Sequence, residues 1–71
     1  MNRVNPKSLL HSKWTKVQIE NKEKHFVIIQ VEQDENHKVV ECIIQAVMNQ
    51  KEYSINWRDL KNVTFWRQGW Q

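Results

Sequence analysis

The sequence has very little of several residues that mark particular classes of protein. Its 71 residues include one glycine, one proline and one cysteine. A single glycine leaves no Gly-rich loop that could cradle a phosphate, and a single cysteine cannot form an internal disulfide. The longest apolar run, residues 26–29, has four residues, whereas a membrane-spanning helix needs about 20. We therefore expect a cytoplasmic protein with no membrane segment and no secretory signal.

Residues that commonly carry catalysis or bind metals are scattered. His11, His25 and His37 lie far apart, and no cysteine or histidine stands at metal-ligand spacing. Cys42 could serve as a nucleophile only if folding brought a histidine to it, and its apolar surroundings indicate a buried thiol. The sequence predicts no catalytic residue, metal or cofactor. A thiol-dependent enzyme or redox protein using Cys42 is the least favoured alternative.

Positive charge is in excess and is unevenly distributed. The chain has 11 Lys and Arg against 8 Asp and Glu, a net charge of +3. Six of the bases fall in residues 1–24, while four of the acids fall in residues 32–41. Such an imbalance indicates either a weak attraction for anionic partners or an ordinary solvated surface.

Alternating apolar residues predict a single β domain, residues 1–71. Strands are expected over residues 14–20, 25–33, 38–48 and 51–57, with a short fifth strand over 63–66. Asn5 as a cap followed by Pro6 predicts a short N-terminal helix. A helical turn is expected over residues 58–62.

Long, bent strands with one helical turn before the last strand are typical of a small barrel. We predict a mostly β, antiparallel, partly open barrel of four or five strands, of the SH3-like or Sm-like type. Closure would remove the exposed edges of so hydrophobic a sheet. The alternative is an open curled meander that dimerises to cover its second face.

Four tryptophans are the most conspicuous feature of the sequence. Trp57 is in phase with the inward side of its strand and is expected in the core. Trp14 lies on the polar side of its strand, so core and surface positions both stay open. Trp66 follows a strand and is expected to be at least half buried. Trp70 lies beyond the single glycine, near the last residue, and is expected to be the more exposed of the two.

A basic residue adjoins three of these tryptophans. This combination suits single-stranded nucleic acid, since the phosphates attract positive side chains and the nucleobases stack on aromatic rings. The sequence favours a non-catalytic binding module whose partner is a protein or a single-stranded nucleic acid. A self-associating structural protein, such as a homodimer, is the alternative. The candidate binding residues are Lys13, Trp14, Arg58, Trp66, Arg67 and Trp70.

Short motifs extend over nearly the whole chain: Asn5-Pro6-Lys7 with Leu9-Leu10, Ser12-Lys13-Trp14-Thr15 with Val17, Lys22-Glu23-Lys24-His25-Phe26, Ala46-Val47, Ile55 with Trp57-Arg58 and Leu60-Lys61, and Trp66 with Gly69-Trp70. Together they resemble a family of small tryptophan-rich bacterial proteins of unknown function. The resemblance implies a bacterial cytoplasmic protein, and it supplies no activity and no site residue. That family usually has a proline before its final Gly-Trp, where this chain has Gln68.

Overall fold

Five β-strands and two 3-10 helices make up the fold in a computed structural model that covers all 71 residues. In chain order they are η1 (Pro6–Ser8), β1 (Lys13–Glu20), β2 (Glu23–Gln33), β3 (Val39–Ala46), β4 (Glu52–Ser54), η2 (Trp57–Lys61) and β5 (Trp66–Gln68). The strands form one sheet in the order β4-β3-β2-β1-β5, and each neighbouring pair is antiparallel. Because β4 and β5 are its two edges, the sheet is not closed. The predicted mostly β, antiparallel and partly open fold of five strands is confirmed.

The N-terminal helix is present but shorter than two turns. The Asn5 side-chain oxygen accepts a hydrogen bond from the Lys7 backbone N–H at 3.0 Å, and Pro6 occupies the first helical position. This cap satisfies an amide that the helix itself leaves free. With only three residues in the turn, Leu9 enters the core and Leu10 is left about half exposed.

Strand β1 does not follow the alternation of its sequence. The alternation predicts that Thr15, Val17 and Ile19 lie on one half-buried face of the strand. Of these three residues only Thr15 is buried, and Trp14 on the other face is buried too. The pairing of β1 with β2 shifts register between Thr15 and Glu20, which breaks the two-residue period. The strand therefore buries its first half and exposes Val17 and Ile19.

The two long strands, β2 and β3, supply most of the core. Phe26 pairs with Ala46, and Ile28 pairs with Ile44. Strand β3 ends two residues before its predicted end because Gln50, at a φ of 62°, donates its backbone N–H to the Ala46 carbonyl at 2.8 Å. Residues 47 and 48 therefore lie in an exposed turn.

The last third of the chain differs most from the expected strands. Trp57 begins η2 instead of ending a strand, because Asn56 caps that helix by accepting from the Arg58 backbone N–H. Trp57 packs against the core but is only partly buried, so its predicted core position is met in part, while its predicted place in a strand is wrong. Val63 and Phe65 lie exposed in a turn, and β5 begins at Trp66 rather than ending there.

The core lies on one face of the sheet and is closed at its ends by Leu9 and Leu60. Trp66 packs edge-on against Phe26, with ring centroids 5.2 Å apart and planes at 86°, a favoured aromatic geometry. No helix is long and apolar enough to cross a membrane. The buried apolar residues are Leu9, Trp14, Phe26, Ile28, Cys42, Ile44, Ala46, Leu60 and Trp66.

Candidate functional site

The C-terminal residues fold back across the outer face of β1, opposite the core. Gly69 makes the bend with a φ of 75°, a left-handed conformation that glycine adopts readily. Its backbone N–H donates to the Lys13 carbonyl at 2.8 Å. The Thr15 hydroxyl donates to the Gly69 carbonyl at 2.7 Å and accepts from the Gln71 backbone N–H at 2.9 Å. These bonds explain why Thr15 is buried and hold the last residues in place.

Trp70 is fixed on this outer face but is not covered. Its indole N–H donates to the Phe26 carbonyl at 2.9 Å. Its ring stacks on that of His25 at a centroid distance of 5.8 Å, and a His25 ring nitrogen lies 2.9 Å from the Gln71 carbonyl. The residue is nevertheless 45% exposed. Trp70 is thus a positioned aromatic surface, and its predicted exposure relative to Trp66 is confirmed.

A basic side chain lies over this ring, and further basic side chains line a groove nearby. The Lys13 ammonium lies 4.7 Å from the Trp70 ring centroid, within cation–π range. Next to the folded-back tail is a groove of about 310 Å³, which we call the outer groove. Three of its side chains are basic and none is acidic; it is lined by Thr15, Lys16, Val17, Ile19, Lys24, Arg67 and Gln71. The region therefore combines an exposed ring with four positive side chains, Lys13 over the ring and three in the groove, and the groove has no acidic side chain.

The structure brings together some of the predicted binding residues and separates the others. Lys13 lies over the Trp70 ring, and Arg67 lines the outer groove next to the folded-back tail. Trp14 and Trp66 are buried, so neither presents a ring to a partner, because both side chains are needed to fill a small core. Trp14 donates its indole N–H to the Ser12 hydroxyl at 2.9 Å.

Arg58 belongs to a separate cluster on η2. Its guanidinium carbon lies 5.2 Å from the Trp57 ring centroid, and the Lys61 ammonium lies 5.0 Å from the same centroid. Both cations therefore lie within cation–π range of a partly buried ring. This cluster is a second place where basic side chains adjoin an aromatic ring, but the Trp57 ring is less exposed than the Trp70 ring.

Three residues of the outer site were missed from the sequence: Lys16, Lys24 and His25. The register of the sheet places His25 there, since Thr15 pairs with His25 on one side and with Arg67 on the other, while Lys16 and Lys24 line the groove itself. A basic residue on an outward strand position looks like any solvated charge in the sequence. Only the pairing of strands far apart in the chain shows that they share one surface.

A buried carboxylate on the core face was also missed. Glu23 is 4% exposed and accepts from the Asn49 side-chain amide at 2.9 Å and from the Tyr53 hydroxyl at 2.9 Å to each oxygen. The Asn49 bond lowers the pKa of Glu23 more than burial raises it, and the Tyr53 bond adds to the lowering. The same bond to Glu23, together with burial, raises the pKa of Tyr53. The three residues come from separate segments, so no local motif marks them.

Cys42 lies in the core, as predicted. Its side chain is 1% exposed, and burial, with a smaller effect of the Glu41 carboxylate, raises the pKa of the thiol to about 11. A nucleophilic cysteine needs the opposite shift, so this environment does not favour thiol chemistry. No group of three or more His, Cys, Asp or Glu side chains is arranged to hold a metal ion.

Comparison with known families agrees with the motifs in the sequence. Residues 12–71 match the family described as "Tryptophan-rich protein (DUF2389)", whose function is unknown. The chain belongs to this tryptophan-rich family. No curated protein and no solved structure matches it. The family match covers both the core tryptophans and the folded-back tail with Trp70.

Proposed function

We propose that this member of the tryptophan-rich family is a non-catalytic binding module that takes single-stranded nucleic acid on its outer groove. The observation that carries the proposal is the half-exposed, hydrogen-bonded Trp70 ring with Lys13 over it, on the same face as the basic outer groove. A fixed aromatic ring can stack on a nucleobase at low entropic cost, and the neighbouring basic side chains attract the phosphates.

The charge around the groove supports an anionic partner. Lys24 and Arg67 line the groove, Lys13 lies over the Trp70 ring, and no acidic side chain lines the groove. Of the two partners that the sequence leaves open, a protein could also contact this surface through hydrophobic and ionic interactions. The combination of phosphate-binding charge with a stacking ring favours the nucleic acid.

Fluorescence anisotropy with a labelled oligothymidylate of about 10 nucleotides tests the proposal. We expect binding at micromolar protein in low salt. With four phosphate contacts, from Lys13 and the three basic side chains of the groove, the logarithm of the binding constant should fall with the logarithm of salt concentration with a slope of about −3. Failure to bind at micromolar protein in low salt would remove nucleic acid as the partner.

Single substitutions separate the groove from a general effect of positive charge. Lys13→Gln should weaken binding and reduce the salt slope by about 0.7. Lys38→Gln, which removes one charge from the turn between β2 and β3, is the matched control and should change binding little. If Arg58→Gln weakened binding as much as Lys13→Gln, the η2 cluster would be the better site. A protein partner would be indicated by binding of an acidic peptide equal to that of the oligonucleotide.

Self-association is the second candidate, and one observation favours it. Strand β5 covers β1 only as far as Lys16, and beyond it the Val17 backbone N–H donates to the Phe65 carbonyl. Val17, Ile19 and Phe65 are each at least one-third exposed around this uncovered edge, a place where a second copy could add a strand. Light scattering that finds only monomer at high concentration would count against this candidate.

We further infer an SH3-like relationship for the fold and a bacterial, cytoplasmic setting. The strand order β4-β3-β2-β1-β5 with a 3-10 helix immediately before the last strand supports the first inference. The resemblance to small bacterial tryptophan-rich proteins supports the second. Binding is common among small barrels, but this likeness of fold adds only analogy to the argument from the groove.

A further inference from the structure

A second cavity opens on the core face of the sheet, and Lys16 is the one residue that lines both this cavity and the outer groove. It holds about 320 Å³, near the lower end of the range of about 300–1,000 Å³ for small-ligand sites. Aromatic and aliphatic side chains and the buried carboxylate of Glu23 meet there. Its lining residues are Lys16, Glu20, Asn21, Glu23, Phe26, Ile44, Tyr53, Ser54, Ile55 and Trp66.

The carboxylate of Glu23 has unused capacity to accept hydrogen bonds. Its two donors, the Asn49 amide and the Tyr53 hydroxyl, are both neutral. An ionised carboxylate has about four acceptor positions, so two donors leave room for more. Those same bonds favour the ionised form, since they lower the pKa of Glu23. The charges of Lys51 and Lys16 also act on this carboxylate, but neither donates a hydrogen bond to it, so a cationic donor that reached its free acceptor positions would form a stronger, charge-assisted bond.

We propose that this cavity binds the guanidinium group of an arginine side chain from a polypeptide partner. The planar guanidinium can donate two parallel hydrogen bonds to one carboxylate. Its flat face can lie against the ring of Tyr53, which lines the cavity and is 38% exposed. The apolar stem of arginine suits the aliphatic wall formed by Ile44 and Ile55. The proposal is independent of the outer groove.

Lys16 is the one cationic side chain in the cavity lining, and its charge contributes to lowering the pKa of Glu23. Its ammonium is on a long, flexible stem, and it competes with an incoming cation for the same carboxylate. Removing it should therefore help the ligand. Lys16→Met is expected to strengthen binding of an arginine derivative about two- to fivefold, by the usual size of a partly exposed ionic interaction.

An NMR titration at neutral pH with N-acetyl-argininamide tests the site without altering the protein. We expect saturable shifts of the Trp66 indole and of the Glu23 and Tyr53 amides at millimolar ligand. N-acetyl-citrullinamide has nearly the same shape but carries no charge, and it should bind at least about tenfold more weakly. Equal shifts with the two compounds, or a response to free arginine alone, would overturn the proposal.

Glu23→Gln keeps an acceptor for Asn49 or Tyr53 and removes the charge. We expect this variant to bind N-acetyl-argininamide at least about tenfold more weakly, while Glu52→Gln, the matched change on exposed β4, leaves binding unaltered. If Glu23→Gln does not fold, the comparison of the arginine and citrulline compounds on the unmodified protein still decides the question. Weaker binding of N-acetyl-argininamide by Lys16→Met would show that the Lys16 charge does not oppose the ligand, and would also overturn the proposal.

Discussion

Trp66 and Trp70 are four residues apart in the chain and lie on opposite faces of the sheet. Trp66 is 8% exposed and packs edge-on against the Phe26 ring, whereas Trp70 is 45% exposed and contacts Phe26 only through a hydrogen bond to its carbonyl. The bend at Gly69 separates them, since residues before it continue a strand and residues after it cross to the outer face. Two residues of the same type therefore have different roles: Trp66 stabilises the core on one face, and Trp70 is available for binding on the other.

The largest effect that this comparison predicts is the loss of Trp66. Trp66→Ala removes a ring from a core of nine apolar residues, and such truncations cost about 3–5 kcal/mol. A domain of this size has a total stability of only about 5 kcal/mol. We expect the variant to be largely unfolded at room temperature, as measured by circular dichroism and thermal melting.

Trp66→Phe is the matched control, because it keeps an aromatic ring against Phe26. It should remain folded with a lowered melting temperature. The assignment of Trp66 to the core would be wrong if Trp66→Ala melted within a few degrees of the unmodified protein.

The reactivity of Cys42 measures how well the core face is closed. The buried thiol, with its pKa raised to about 11, should not react with iodoacetamide at neutral pH while the protein is folded. It should react fully in denaturant, which serves as the control because the chain has one cysteine. Mass spectrometry gives the extent of modification. Rapid alkylation of the folded protein would show that the core opens and would revive the thiol-based alternative.

Loss of Trp70 should have a smaller effect on stability and a larger effect on binding. Trp70→Ala removes one hydrogen bond and a half-exposed ring, a cost of about 1–2 kcal/mol. The melting temperature should then fall by roughly 4–16 °C. Oligonucleotide affinity should fall about tenfold, since stacking one base contributes about 1–3 kcal/mol. Unchanged affinity in a folded Trp70→Ala variant would remove Trp70 from the site.

The sequence predicted helices and strands well where residues close together in the chain determine them. The Asn5–Pro6 cap, the two long strands and the exposure of Trp70 relative to Trp66 follow from residue types and their spacing. Trp57 was misplaced because the cap formed by Asn56 overrides the strand alternation that precedes it. Strand β4 contributes only three residues to the edge of the sheet, and residue propensities alone do not show that the Asn56 cap ends this strand so early.

The candidate site was predictable only in part. Lys13 and Arg67 were found because each adjoins a tryptophan in the sequence, and Trp70 because it lies beyond Gly69 near the last residue. Their meeting with His25 depends on a bend at Gly69 and on bonds between residues 44 to 56 positions apart, as in Trp70 to Phe26 and Gln71 to Thr15. Sequence spacing carries no signal for such contacts. For the same reason the Glu23 cluster could not be predicted.

The smallest predicted effect concerns pH and the polar cluster on the core face. The pKa of Glu23 is lower in the folded protein than its ordinary value of 4.5, so its contribution to stability is complete above about 4.5 and is lost as the pH falls through the folded value. The pKa of Tyr53 is raised above 10, so its contribution is complete below 10 and is lost as the pH rises through the folded value. Urea unfolding at several pH values measures both.

Glu23→Gln should flatten both limbs of this profile, because it removes the titrating carboxylate and its bond to Tyr53. Glu52→Gln changes an exposed carboxylate on the neighbouring strand and should leave the profile nearly intact. An identical response of the two variants would show that Glu23 is not the group responsible.

The most direct test of the central claim compares the four tryptophans in one experiment. Their indole N–H signals can be followed by NMR while an oligothymidylate of about 10 nucleotides is added in low salt. The account predicts that the Trp70 indole and the Lys13 and Arg67 amides shift most, while the buried Trp14 and Trp66 indoles barely move. Shifts concentrated at Trp57, or no shift at saturating oligonucleotide, would contradict a nucleic-acid site at the outer groove.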